Sequence, residues 1–169
     1  MLKMFTQTFN EKIILGIDPG IERLGWGIIK KIGGKIERID SGVKKTLKTQ
    51  KNPERLFEIQ CFLNDLIKKE KPNTISVEKL FFSKNVKTAL NISEVRGVIL
   101  ATAQKHGLEI KEFTPLQVKT TICGYGKATK EDVARMLKLS IKLPQKTLLD
   151  DETDALATAL TAAFYRSFP

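Results

Sequence analysis

The chain has 169 residues, of which 41% are hydrophobic and 28% charged. At roughly 150 residues per domain this is one globular domain, large enough to bury a core without disulfide or metal staples. Lys and Arg number 29 against 19 Asp and Glu, a net charge of +10; that balance favours a polyanionic partner such as nucleic acid, and no apolar run approaches the roughly 18 residues of a membrane span.

Residues 1–12 read as a flexible N-terminal extension with no apolar signal-peptide core. The run 12–18, KIILGID, predicts a buried strand that ends in an acid and is stopped by Pro19-Gly20. Gly25–Ile29 and Lys35–Val43 predict two more strands, joined through Gly33-Gly34 as a hairpin, so the first three strands form an antiparallel meander. Asn52-Pro53 supplies a cap and a first helical residue, and Leu56, Ile59, Leu63, Leu66 and Ile67 follow at helical spacing up to Pro72. Thr74–Glu78 is a short strand, again ending in an acid. A helix between two strands suggests a crossover to a parallel neighbour. Val86–Lys105 predicts a long helix closed at His106-Gly107, and Gly97 within it is read as a point of close helix packing. Leu108–Phe113 is the fifth strand. Helices then start at Thr114-Pro115, at Thr129 through a capping box, and at about Asp151, the last running to Tyr165. The sum is one α/β domain with a mixed five-stranded sheet. Cys61 and Cys123 read as buried free thiols of a cytoplasmic protein. One histidine and two cysteines exclude a zinc site of the usual Cys/His spacing.

Four acids are the candidates to carry chemistry. Asp18 and Glu78 stand at the C-terminal ends of strands, where open α/β sheets bind ligands. Asp151 and Asp154 lie i, i+3 on one face of the last helix, and Asp150, at i−4 from Asp154, faces the same side. Each has a plainer reading: Asp18 as a turn former, Glu78 as a strand-end surface acid, the α-helical acids as partners of the helix dipole. Their convergence at one end of one sheet would make an all-oxygen site for Mg²⁺ or Mn²⁺.

The stretches LGIDPG (15–20), GWG (25–27), VEKLFFSKN (77–85), ALNISEVRGV (89–98), QVKTTICGYGKATKEDV (117–133) and DETDALATAL (151–160), in that order and spacing, resemble the bacterial RuvC-type Holliday junction resolvases. The likeness spans Ile13 to about Tyr165. It implies a ribonuclease-H-like fold with helices on both faces of the sheet, and a homodimer that nicks two strands of like polarity at a four-way DNA junction. It places four acidic metal ligands on Asp18, Glu78, Asp151 and Asp154, with Asp150 the alternative third carboxylate. The cofactor it implies is Mg²⁺, two ions per site, with Mn²⁺ as substitute. The family's aromatic wedge falls on Phe81, with Phe82 beside it, and its functional lysines on Lys119 and Lys130. A branch-migration helicase complex is the expected partner, and the cytoplasm the expected location. Leu24 departs from the family, standing where Thr is common. The helix 86–105, with Leu90, Val98, Ile99 and Gly97, is the candidate dimer interface. LGIDPG alone would also fit an actin-like ATPase, but those need two such domains, and 169 residues is too short. A junction-binding protein without nuclease activity would not need the four acids. Another ribonuclease-H-like nuclease, acting on RNA, is opposed only by the length of the match.

Overall fold

The computed structural model describes residues 11–79 and 86–165, with the backbone alone at 86–88. Strands β1 (Glu11–Asp18), β2 (Arg23–Ile32) and β3 (Lys35–Lys45) form the expected antiparallel meander. The tight β2–β3 turn uses Gly33 at φ 58°, a left-handed conformation that favours glycine. Helix α1 (Asn52–Glu70) leads to β4 (Thr74–Glu78), and α2 (Val86–Lys105) leads to β5 (Glu109–Phe113). Three helices close the chain: α3 (Pro115–Cys123), α4 (Lys130–Ser140) and α5 (Asp150–Phe164). The sheet order is β3-β2-β1-β4-β5, with β4 parallel to both β1 and β5. The β4–α2–β5 unit is therefore a crossover between parallel neighbours. The β3–α1–β4 unit is not, because β4 pairs beyond β1 and never touches β3.

Strand alternation sorts the core into two layers. Leu15, Ile17 and Ile28 pack with Ile59 and Leu63 of α1 and Val95 and Ile99 of α2. Ile14 and Ile29 point the other way, onto Leu156 and Leu160 of α5, with Val118 of α3 and Leu137 of α4 behind them. Helices α3 and α4 start as their sequences dictate. Thr114 Oγ1 accepts the Gln117 amide and Gln117 Oε1 accepts the Thr114 amide, and Thr129 and Asp132 make the same reciprocal pair.

Four expectations need correction. Glu11 and Lys12 belong to β1, paired with Ile32 and Lys31. Cys61 is exposed, on the solvent side of α1, and Cys123 is half-buried. The cap of α1 is Lys51 rather than Asn52: Glu54 Oε2 accepts the Lys51 amide at 3.0 Å, while Asn52 reaches across to Glu94 of α2. Gly97 is exposed, and a Cβ built there would meet no atom of the described residues within 4 Å.

The glycines that matter for packing lie in the sheet. Gly16, Gly25 and Gly27 all face α5. A methyl at Gly16 would overlap the Ala155 carbonyl oxygen and stand 2.7 Å from the Ala159 amide; one at Gly27 would stand 2.6 Å from Leu156 Cδ2. At Gly25 the obstruction is the Asp151 carbonyl, in the first turn of α5. The helix answers with Ala155, Ala159, Ala162 and Ala163, all buried. Helix and sheet therefore approach backbone to backbone. Gly16→Ala is expected to lower unfolding stability by about 3 kcal/mol, the upper end of overpacking costs, because the atoms in the way are backbone and cannot swing aside. Gly34→Ala, where nothing lies within 4 Å, should change stability by less than about 0.5 kcal/mol. Denaturant midpoints of the two variants check the pair; equal midpoints would refute the close-packing account.

Candidate active site

Asp18 follows Ile14 and Gly16 on the face of β1 that meets α5. In β4 the same parity belongs to Thr74, Ser76 and Glu78, and Ser76 Oγ donates to the Thr158 carbonyl of α5 at 2.9 Å, which fixes that face too. The parallel register pairs Ile17 with Val77, so Asp18 and Glu78 end adjacent strands side by side. Helix α5 lies across them and brings Asp151 and Asp154 in its first turns. Four acids from three elements thus meet at the C-terminal edge of the sheet.

Their mutual repulsion is visible in Asp18. Burial, then the charges of Asp154, Glu78 and Asp151, push its carboxyl from 3.8 up to about 7, with Lys130 opposing. Glu78 is also held above the usual carboxylate range, first by burial and then by Asp154, with Lys130, Arg96 and Lys119 opposing. Asp150 is exposed, whereas Asp151 is one of the acids whose charge raises Asp18.

Basic side chains compensate. Lys130, the first residue of α4, donates to Asp154 Oδ2 at 3.1 Å. Arg23 pairs with Asp151 Oδ2, a buried atom that still has no hydrogen bond of good geometry. Arg96 of α2 donates to the Glu78 carbonyl oxygen and pairs with Glu112, anchoring the end of β4 to β5. Sequence reading missed Arg23 and Arg96. Both lie inside or beside the recognisable stretches, but nothing in their spacing announces which carboxylate or carbonyl they reach. Beside the acids, Glu78, Lys119, Lys130 and Asp154 line a cleft of about 230 Å³ floored by Val118, Val133 and Ala157. Phe81 and Phe82 lie outside the described residues. His106 is far from this edge and meets Asn64 Oδ1 at 2.7 Å.

The donor set is all carboxylate oxygen, which suits a hard divalent cation. Among the described residues no three His, Cys, Asp or Glu side chains are drawn together tightly enough to hold an ion as they stand. The reason is local: Asp151 is turned to Arg23 and Asp154 to Lys130. A cation would relieve the repulsion that raises Asp18, so the all-carboxylate donor set fits one.

Comparison with known proteins agrees with the geometry. A family model described as crossover junction endodeoxyribonuclease RuvC matches residues 14–162. The crossover junction endodeoxyribonuclease RuvC of Petrotoga mobilis is 46% identical over 157 residues, covering 92% of this chain and 96% of the relative. That of Alkaliphilus metalliredigens is 46% identical over 151 residues, covering 89% and 92%. Among solved structures, T. thermophilus RuvC in complex with a Holliday junction substrate superposes with a TM-score of 0.86 at 32% identity, covering 91% of this chain and 94% of that one. The yeast mitochondrial Holliday junction resolvase Ydc2 shares the fold, with a TM-score of 0.64 at 15% identity over 89% of this chain and 75% of its own. The architecture is thus the ribonuclease-H-like one that the sequence resemblance implies.

The raised Asp18 makes the metal-free protein sensitive to pH. Its carboxyl titrates near 3.8 when unfolded and about 7 when folded, so between those values the folded state binds more protons than the unfolded one. Stability therefore falls as pH rises from about 4 to about 7, and the full penalty persists above that. Asp18→Asn removes it. In chelator-treated protein this variant should be more stable than the parent at about pH 8, by a few kcal/mol at most and read as a higher Tm, and the gap should close near pH 4. A gap that does not vary with pH would contradict the crowding of charge at Asp18.

Proposed function

This chain belongs to the RuvC family of crossover junction endodeoxyribonucleases and is a nuclease of that kind; we propose that it resolves four-way DNA junctions in recombination and repair. It does so by paired, symmetric nicks in two strands of like polarity, leaving 5′-phosphate and 3′-hydroxyl ends. The observation that carries the assignment of its active site is the placement of Asp18 and Glu78 side by side under Asp151 and Asp154 of α5. These four carboxylates would hold the divalent ions, Mg²⁺ with Mn²⁺ as a chemical equivalent, two per site. When bound, such ions activate a water for attack and stabilise the leaving oxygen. Lys119 and Lys130, on the cleft next to Glu78 and Asp154, neutralise the phosphate that must enter among four acids. Arg96 keeps the Glu78 backbone at its place by holding the β4 carbonyl. Phe81 is the proposed junction wedge. The single domain works in the cytoplasm beside a branch-migration helicase.

Two coordinated cuts require two sites related by a two-fold axis. We assign the dimer contact to α2. Its outer face carries Leu90, 60% exposed, and Gly97, open to solvent. Ile99 is not part of that face, being fully buried beneath α2, and Val98 is packed partly against the same core. Gly97→Arg should yield monomers in sedimentation while leaving the fold intact; a dimer persisting in that variant would exclude this face.

The assignment is tested by incubating the protein and Mg²⁺ with a mobile four-way junction, a linear duplex and an RNA–DNA hybrid. Only the junction should be cut efficiently; preferential cutting of the hybrid would favour a ribonuclease-H-like activity on RNA instead. Asp18→Asn should abolish junction cutting yet keep the metal-free gel shift, because phosphate contacts come from lysines and one anion has been removed. Asp150→Asn should cut normally. Affinity should fall with salt at a log–log slope of about −0.9 per phosphate contact, and Lys119→Ala should reduce that slope by about one contact. Normal cutting by Asp18→Asn would overturn the site.

A further inference from the structure

Glu152 and the exposed Asp150 are the acids of α5 that the site described above does not use, and Glu152 is the most deeply buried acid of the helix, at 2% exposure. A buried carboxylate is costly unless it is paired and hydrogen-bonded. Ser41 Oγ donates to Glu152 Oε1 at 2.6 Å. Arg38 Nε donates to Ser41 Oγ at 2.7 Å, and its guanidinium lies 4.0 Å from Glu152 Oε1. Lys146, in the loop before α5, stands 3.7 Å from the same oxygen.

The strand that provides these partners is specially shaped to do so. Residues three apart on a regular strand point to opposite faces. In β3 the register shifts between its neighbours Ile28 and Ile29: Ile28 opposes Asp40 and Ile29 opposes Arg38, leaving Ile39 as an extra, bulged residue. The bulge returns Arg38 to the same face as Ser41, which opposes Gly27. Both therefore look toward α5, and bulges are a recognised means of re-aiming side chains near functional sites. At the other end of the contact, α5 begins at Asp150, and Leu149 in the cap position before it supplies no side-chain hydrogen bond. Its first turn thus lacks the anchor that α3 and α4 possess.

We propose that Glu152, clamped by Ser41 and Arg38 across the β3 bulge, is a positioning residue that sets the rotation of the first turn of α5 and so aims Asp151 and Asp154 at Asp18. The proposal rests on the metal-site reading above. Glu152 sits between the two aspartates in the same turn, so a rotation that satisfies its clamp leaves them one direction to face. The alanine-rich remainder of α5 fixes the depth of the helix in the sheet. The clamp fixes its azimuth.

The test uses Ser41→Ala, Arg38→Gln and Glu152→Gln in the full-length protein, with Asp18→Asn in parallel. Two quantities are read: the Mn²⁺ or Mg²⁺ concentration giving half of the cation-induced rise in Tm, and the concentration giving half-maximal junction cutting. Metal-free junction binding is measured alongside. Each clamp variant should raise both half-saturation concentrations about tenfold, the usual effect of losing a group that orients a ligand, with metal-free binding unchanged. Ser41→Ala combined with Glu152→Gln should cost no more than the worse of the two alone, since both break one linkage. Should Glu152→Gln fail to fold, Ser41→Ala, which removes only a hydroxyl, still decides the matter. Variants with a lowered metal-free Tm but unchanged cation requirement would overturn the proposal, leaving Glu152 as a core ion pair only. A full cation-induced rise in Asp18→Asn would instead overturn the metal site itself.

Discussion

The close seating of α5 on the centre of the sheet is the constraint on which the rest depends. Three glycines, at 16, 25 and 27, strip the middle strands of side chains on one face, and alanines strip the facing side of the helix. At those glycines the sheet carries no side chain, and Ala155, Ala159 and Leu156 of the helix press directly on its backbone, so the contact draws its stability from dense packing. What the arrangement secures is position. Gly16 and Asp18 share a face two residues apart, so the groove that receives α5 leads to the acid. A helix held off by ordinary leucines would carry Asp151 and Asp154 several ångströms farther from β1, and the acids would form no common site.

That proximity creates an electrostatic problem, and the fold answers it with cations of two kinds. Lys119 and Lys130 line an open cleft beside Glu78 and Asp154, where Lys130 pairs with Asp154. Arg38, only 14% exposed at its side chain, and Arg96, 12% exposed, are built into the protein, the one holding β3 to α5 and the other holding β4 to β5. Arginine suits this buried duty, since its planar fork can serve several acceptors at once. Arg96 does so with the Glu78 carbonyl and the Glu112 carboxylate. The net charge of +10 is therefore not a uniform coat: part of it is internal scaffolding around a deliberately acidic edge, and the remainder is left for the polyanion.

Much of this was legible in order along the chain. The Gly33-Gly34 hairpin, the capping pairs at Thr114 and Thr129, and the strand-end acids Asp18 and Glu78 are local signals, set by backbone conformation and hydrogen bonds between near neighbours. They survive folding because nothing distant competes with them. Hydrophobic spacing likewise located Ile59, Leu63, Leu66 and Ile67 on the buried face of α1. The family motifs named the four acids and the two lysines without any coordinates.

Other features depend on which segments meet, and no local signal carries that. Gly97 looked like a packing glycine and faces solvent, whereas Gly16, Gly25 and Gly27, unremarkable within their strands, are the ones in close contact. The position of β4 beyond β1 and the reach of Arg23 and Arg96 are long-range matters of register and helix rotation. The β3 bulge is the clearest case: KIERIDSGVKK reads as a plain strand, and only its pairing with β2 shows that Arg38 and Ser41 face the same way. Sequence determined the elements, the acids and the family, because those rest on neighbouring residues; tertiary structure decided how the acids meet and what holds them, because side-chain direction is settled only when strands and helices pair.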